Sequence, residues 1–342
     1  MNPTPGTPDA PQQPDPGLLE SVLVLTVRKG FWAAPEAHIF PQQIYAKRLF
    51  PGPGRWGSSR NPLNVLTLAI SGYRYYLRYR PKVILFGAAP RVSAWFARLK
   101  QAGRLPGVHL VAPGAVYLRP ELLPFFERLY VFSRGEIPKN IPQLAEKFVF
   151  VPLPAPDMAE VRPYPSQEPY VFAGGGAGRD FDTLIEAMRG LELRLVIATF
   201  SPKSLGYASP LPENCIIYWA MPRARFLELA AGALFVVVPL KEGSNPHGHT
   251  TVVEALRLGK AIISTQSASV DDYLAHGREG LLVKAGDSLS YREAILKLAQ
   301  DQALRYACEQ QARLRAKELT YEVFAKRLSS LCAELLQARR IL

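Results

Sequence analysis

At 342 residues, 48% of them hydrophobic and 20% charged, the chain is too long for one ordinary core and suits two domains. Lys and Arg outnumber Asp and Glu by 41 to 29, but the excess is local: Ala37 to Pro120 holds thirteen bases and no acid, and the remainder is near neutral. No run approaches the roughly 18 apolar residues of a membrane-spanning helix, and three scattered cysteines (Cys215, Cys308, Cys332) suit a reducing compartment and show no metal-ligand spacing.

Residues 1–17, MNPTPGTPDAPQQPDPG, carry six prolines and no apolar core, so they read as a disordered leader rather than a signal peptide or anchor. Short apolar runs then mark strands at Val22–Leu25, Val83–Phe86, His109–Val111, Leu129–Phe132 and Phe148–Val151. Between the first two, Leu63, Leu66, Ile70, Tyr73 and Leu77 follow helical spacing. Strands alternating with helices imply βαβ units and a mainly parallel sheet. The prolines of 152–165 punctuate a linker, giving an N-terminal domain over 18–160 and a second from 166 to 320.

The second half repeats the alternation. Strands are expected at Tyr170–Ala173, Leu193–Ala198, Cys215–Trp219, Leu234–Val238 and Ala261–Ser264. Helices are expected near Phe181–Arg189, Arg223–Ala230, Thr250–Leu258 and Ser288–Ala299. A last amphipathic helix shows Phe324, Leu328, Leu331 and Leu335 on one face. The fold class is therefore α/β, with two Rossmann-like αβα domains and ligand sites at the carboxyl ends of their strands.

Two segments carry chemistry. Gly174-Gly175-Gly176-Ala177-Gly178-Arg179-Asp180 joins a strand to a helix. Its glycines let a ligand approach the backbone, the helix N-terminus favours an anion, and Arg179 offers a paired donor to a diphosphate. The second segment runs from Pro239 to Leu258, PLKEGSNPHGHTTVVEALRL, and enters a helix at Gly248-His249-Thr250-Thr251. Its backbone N–H groups offer a phosphate seat, and Glu254 could accept from a ribose diol. The structural alternative makes Thr250 an N-cap and Glu254 a favourable early-helix charge.

The pieces AGGGAGRDFDTLIEAM, PLKEG…GHTTVVEALRLGKAIIST and SVDDYLAHGREGLLVKAGD, in this order, resemble the donor-binding half of family-4 GT-B glycosyltransferases over about residues 170–330. The resemblance implies two domains facing a cleft, with residues 321–342 crossing back to the N-terminal domain. It also implies a nucleotide-sugar donor as substrate, no cofactor and no metal. The family carries two glutamates separated by seven residues, and Glu254 matches the second, which grips the donor ribose. The first is replaced by Pro246, and Glu242 stands four residues too early.

A metal-free enzyme must meet the charge growing on the leaving diphosphate with cations and helix-terminal N–H groups. Arg179, Lys241 and Glu254 are the catalytic candidates. Gly175, Gly176, Gly248, His249, Thr250 and Thr251 complete the donor site. The acid-free run leaves only Glu36, Glu121, His38 and His109 as acceptor-side bases, which agrees with the retaining course typical of the family. Gly72 to Arg80 mixes tyrosines with Arg74, Arg78 and Arg80. It reads either as an interfacial helix on anionic lipid or as a core helix with one basic face. The basic excess favours a lipid-linked or glycan acceptor at an anionic membrane surface, hence a cytoplasmic protein peripheral at the inner membrane face. Two rivals stand beside this: an inactive nucleotide-binding subunit, suggested by Pro246, and a nucleic-acid binder, which leaves the C-terminal half unexplained.

Overall fold

The computed structural model describes residues 16–26, 39–45, 62–87, 89–114, 118–200, 205–206, 210–243 and 247–338. Most of the leader, Glu36, His38, Lys47, Arg48, Arg55, Arg60 and Pro246 lie outside them. The chain divides into two compact units.

The first unit comprises Met1–Val131, Ile137–Val151 and Tyr321–Leu342. Its elements are α1 (Pro16–Leu19), β1 (Val22–Thr26), β2 (Gln42–Tyr45), α2 (Pro62–Tyr79), β3 (Val83–Phe86), α3 (Pro90–Gln101), β4 (His109–Pro113), β5 (Arg128–Val131) and β6 (Phe148–Phe150). The strands form one parallel sheet in the order β2-β1-β3-β4-β5-β6. A parallel sheet is covered on both faces, so its strands read as unbroken apolar runs, and β1 and β3 are buried at every position.

Helix α2 lies where its spacing predicts, but turned. Its buried face is Asn64, Leu68, Ala69, Gly72 and Tyr76, while Leu63, Leu66, Ile70 and Leu77 are exposed. The turn follows from Gly72: a Cβ there would stand 2.7 Å from a Leu25 methyl, so only glycine lets the helix approach β1 this closely.

The second unit comprises Phe132–Glu136 and Pro152–Thr320. Its elements are β7 (Tyr170–Gly174), α4 (Phe181–Met188), β8 (Arg194–Thr199), β9 (Cys215–Trp219), α5 (Arg223–Gly232), β10 (Val236–Val238), α6 (His249–Arg257), β11 (Ile262–Thr265), β12 (Gly280–Val283), α7 (Ser288–Gln300) and α8 (Gln302–Ala316). The parallel sheet runs β12-β11-β10-β7-β8-β9. Counted within the unit this is the order 6-5-4-1-2-3 of the doubly wound dinucleotide-binding fold, and the strand order reverses between β7 and β10. The proline-dense stretch from Pro152 to Pro165 belongs to this unit.

Helix α9 (Tyr321–Gln337) clusters with the first unit, burying Phe324, Leu328, Leu331 and Leu335, with Phe324 edge-on to Tyr130. Among the described residues no helix is long and apolar enough to cross a membrane.

Candidate active site

The two segments singled out in the sequence meet at the point where the second sheet reverses. The first leaves β7 through Gly175 (φ 117°) and Gly178 (φ 68°) and enters α4, which Asp180 caps by accepting from the Thr183 N–H. The second leaves β10 at Pro239. They are stitched by Asp180 N–H to Pro239 O at 3.1 Å and Lys241 N–H to Gly178 O at 2.9 Å. The left-handed φ values require glycine, and so does space. A Cβ on Gly175 would meet the Arg179 guanidinium, and one on Gly178 the His247 ring.

Arg179 ties the segments together from inside. Its Nε donates to Gly174 O at 2.9 Å, its Nη1 to Ala177 O at 3.1 Å and its Nη2 to Thr251 Oγ1 at 2.9 Å. It is 6% exposed and makes no ion pair among the described residues. Burial pushes its guanidinium down to about 10, so the charge survives at neutral pH. The sequence presents Arg179 as an open fork for a diphosphate. In the structure three of its five N–H groups serve the protein, and two have no partner among the described residues.

Helix α6 begins after Gly248, whose φ of 97° turns the chain inward. Gly248 has no side chain with which to cap it, and among the described residues nothing accepts from its first N–H groups. Thr250 is therefore not the N-cap; it sits exposed in the first turn, whereas Thr251 is buried against Arg179. His249 is the first helical residue, and burial pulls its imidazole down to about 4, leaving it neutral at pH 7. Glu254 is 7% exposed and ion-paired with Arg223, the first residue of α5, while its Oε2 has no partner. Lys241 is exposed at the rim, and Gly175 and Gly176 are half-buried beside the turn.

Sequence reasoning missed Arg223, which no motif surrounds. Its one signal is a base at a helix start, where the helix dipole disfavours it. Among the described residues no three His, Cys, Asp or Glu side chains come together as metal ligands.

Arg74, Arg78 and Arg80 lie in the first unit on or just past the end of α2, all exposed. Arg80 folds back so that its Nη1 donates to the Tyr76 hydroxyl at 3.1 Å. The tyrosines of this segment are less available than their spacing suggests. Tyr76 is in the core, Tyr73 and Tyr75 are half-buried, and Tyr75 donates to Gln42 Oε1 at 2.6 Å. Tyr79 alone of the four is exposed.

Residues 172–315 match the model of the family described as Glycosyl transferases group 1. No curated protein matches the chain. Among solved structures, a glycosyltransferase from Rickettsia africae superposes with a TM-score of 0.65 at 11% identity, covering 92% of this chain and 98% of that one. The Anabaena protein HepE, crystallised with UDP, gives 0.64 at 14%, covering 92% and 99%. Sucrose-phosphate synthase from Thermosynechococcus elongatus gives 0.63 at 16%, covering 93% and 99%. The second unit is thus similar to the group 1 glycosyl transferases over residues 172–315, and the chain shares the GT-B fold of these solved glycosyltransferases.

Proposed function

We propose that the protein moves a hexosyl group from a nucleotide sugar, bound at the carboxyl edge of the second sheet, to a lipid-linked or glycan acceptor at an anionic membrane surface. One arrangement carries the reading. At the reversal point of the sheet, Arg179 holds an unneutralised charge beside the uncapped N-terminus of α6, and Glu254 keeps one carboxylate oxygen unpaired. Charge and N–H groups suit a diphosphate, and the carboxylate suits a ribose hydroxyl. A HepE structure that holds UDP-glucose lends support to this donor class.

As the bond from the sugar C1 to the diphosphate breaks, negative charge grows on the departing oxygen. The remaining Arg179 donors, the α6 N–H groups and Lys241 stabilise it without a metal. The acceptor hydroxyl forms its bond to C1 on the face the leaving group vacates, and its proton passes to the leaving phosphate oxygen. This retaining course is supported by the absence of acids from Ala37 to Pro120.

The membrane reading is supported by α2, whose Leu63, Leu66, Ile70 and Leu77 are each 45–55% exposed, with Arg74, Arg78 and Arg80 exposed beside them toward its C-terminal end. A lipopolysaccharide outer core galactosyltransferase among the structural neighbours is consistent with a lipid-borne acceptor. In this reading the protein is cytoplasmic and peripheral to the inner face of the membrane.

The donor site is tested by thermal unfolding with UDP-, GDP-, ADP- and dTDP-sugars. A true donor at a hundred times its dissociation constant adds about 2.7 kcal/mol of stability; no shift with any of the four overturns the reading. The surface is tested by sedimentation with anionic vesicles. Arg74→Gln with Arg78→Gln weakens adsorption, each base near the surface contributing about 1 kcal/mol, and salt weakens it further. Preference for oligonucleotides over vesicles points instead to a nucleic-acid binder.

A further inference from the structure

We infer that Glu136 and His249 together bind a hydroxyl of the transferred sugar. The inference rests on the donor site proposed above.

Glu136 lies 113 residues before His249, yet both belong to the second unit. The short segment Phe132–Glu136 leaves its sheet at Val131 and is fastened along the loop that follows β11. Ser133 Oγ donates to Ala268 O at 2.8 Å, and the Arg134 N–H donates to Asp272 Oδ2 at 2.6 Å. The Arg134 guanidinium pairs with the same carboxylate, and the Tyr273 hydroxyl donates to Phe132 O. Gly135 fits because a Cβ would stand 2.8 Å from that of Ala268. Four polar contacts and one enforced glycine thus fix where the Glu136 carboxyl stands.

That carboxyl is 8% exposed, and its Oε1 lies 4.0 Å from Nε2 of His249, which is 12% exposed. The gap is too long for a direct hydrogen bond, and Nε2 has no other partner. An oxygen about 2.8 Å from both atoms completes a triangle on that base, so one hydroxyl can engage both. The imidazole N–H donates to the hydroxyl oxygen, and the hydroxyl proton goes to the carboxylate.

The surroundings suit an uncharged sugar. Burial pushes the Glu136 carboxyl up to about 7, with Asp272 adding to the rise and the Phe132 and Ser133 N–H groups opposing it. Burial also keeps His249 neutral, against an opposing effect from Asp272 and with His247 and Arg179 nearby. The Tyr273 ring closes the other side, edge-on to the imidazole at 5.8 Å. His249 opens α6, two residues before the threonine that holds Arg179 and five before Glu254. Sugar, diphosphate and ribose then each meet a separate part of the first two turns.

The test compares sugar nucleotides with the diphosphates they release. Calorimetry on the full chain measures UDP against UDP-glucose and GDP against GDP-mannose, for wild type, Glu136→Gln and His249→Asn. The inference predicts that each variant loses about tenfold or more in affinity for the sugar nucleotide while the diphosphate binds within twofold of wild type. Equal losses for both ligands make the pair a support for α6 and overturn the inference. Unchanged sugar-nucleotide binding in both variants places the sugar elsewhere and also overturns it, leaving the donor site intact. A wild-type chain that binds neither diphosphate overturns the donor site and the inference together. Two variants at opposite ends of the contact guard against either one failing to fold.

Discussion

Replacing Arg179 by methionine keeps the aliphatic stem and removes the guanidinium, with its bonds to Gly174 O, Ala177 O and Thr251 Oγ1. Ala177 is exposed, so its carbonyl rehydrates. Gly174 and Thr251 are buried, and each orphaned acceptor costs about 1–3 kcal/mol. An opposite effect accompanies this loss. Burial holds Arg179 at about 10 instead of 12.5, so desolvation worth on the order of 3 kcal/mol disappears with the charge. The two nearly offset, and the expected net loss is about 0–3 kcal/mol, modest for so enclosed a residue.

Ligand binding has no such offset. Without the guanidinium a diphosphate loses charge-assisted bonds worth roughly 1.5–3 kcal/mol, or about ten- to a hundredfold in affinity. Thermal unfolding with and without UDP reads the first effect, and calorimetry the second. Arg179→Lys separates charge from shape, because an ammonium cannot reach three diverging acceptors. A methionine variant that loses more than about 5 kcal/mol yet binds the diphosphate as wild type does would show Arg179 to be an internal brace and no part of the site.

Glu254→Gln is expected to lower nucleotide affinity about tenfold by removing the charged acceptor. Arg223→Ala is expected to do the same at a stability loss below about 1 kcal/mol, because half its side chain is solvated. Chelation with EDTA should leave turnover unchanged, measured as nucleoside diphosphate released; a tenfold loss restored by magnesium would refute the metal-free reading. A pH series of chemical denaturation tests Glu136. Its raised carboxyl keeps a proton that the unfolded chain gives up between about 4.5 and 7, so wild-type stability falls as pH rises through that window. Glu136→Gln lacks this slope and should gain on the order of 2 kcal/mol relative to wild type from pH 5 to 8; a pH-independent difference refutes it.

Most strands were legible because parallel sheets demand runs such as Val83–Phe86 and Val236–Val238. The two missed strands have local reasons. Gln42–Tyr45 is short and polar enough to be an edge, and Gly280–Val283 opens on a glycine whose Cβ position lies against the Ile262 backbone. For α2 the period was legible but the facing was not, since periodicity cannot tell an outward aliphatic stripe from a core one. Gly72, the residue that decides, carries no hydropathy signal. In the site, the glycine turn and the α6 entrance stood out because each is contiguous. The Arg179–Thr251 bond and the Glu254–Arg223 pair join residues 72 and 31 apart, and the Glu136–His249 approach spans more. No spacing rule reaches across such gaps; the fold alone brings them together.

Where the chain leaves polar groups unsatisfied also argues for a ligand. Buried polar atoms without partners are rare in native proteins, and each calls for a reason. Six described residues have one, and four of them (Asp182, Thr199, His249 and Glu254) stand at the carboxyl edge of the second sheet or in the first turns of the helices that start there. The same edge holds the buried charge of Arg179 and the uncapped start of α6. Random defects would scatter over both sheets and both ends of each strand. Collected at one edge, they coincide with the donor site proposed here, where a polar, anionic ligand would offer each of them a hydrogen-bond partner.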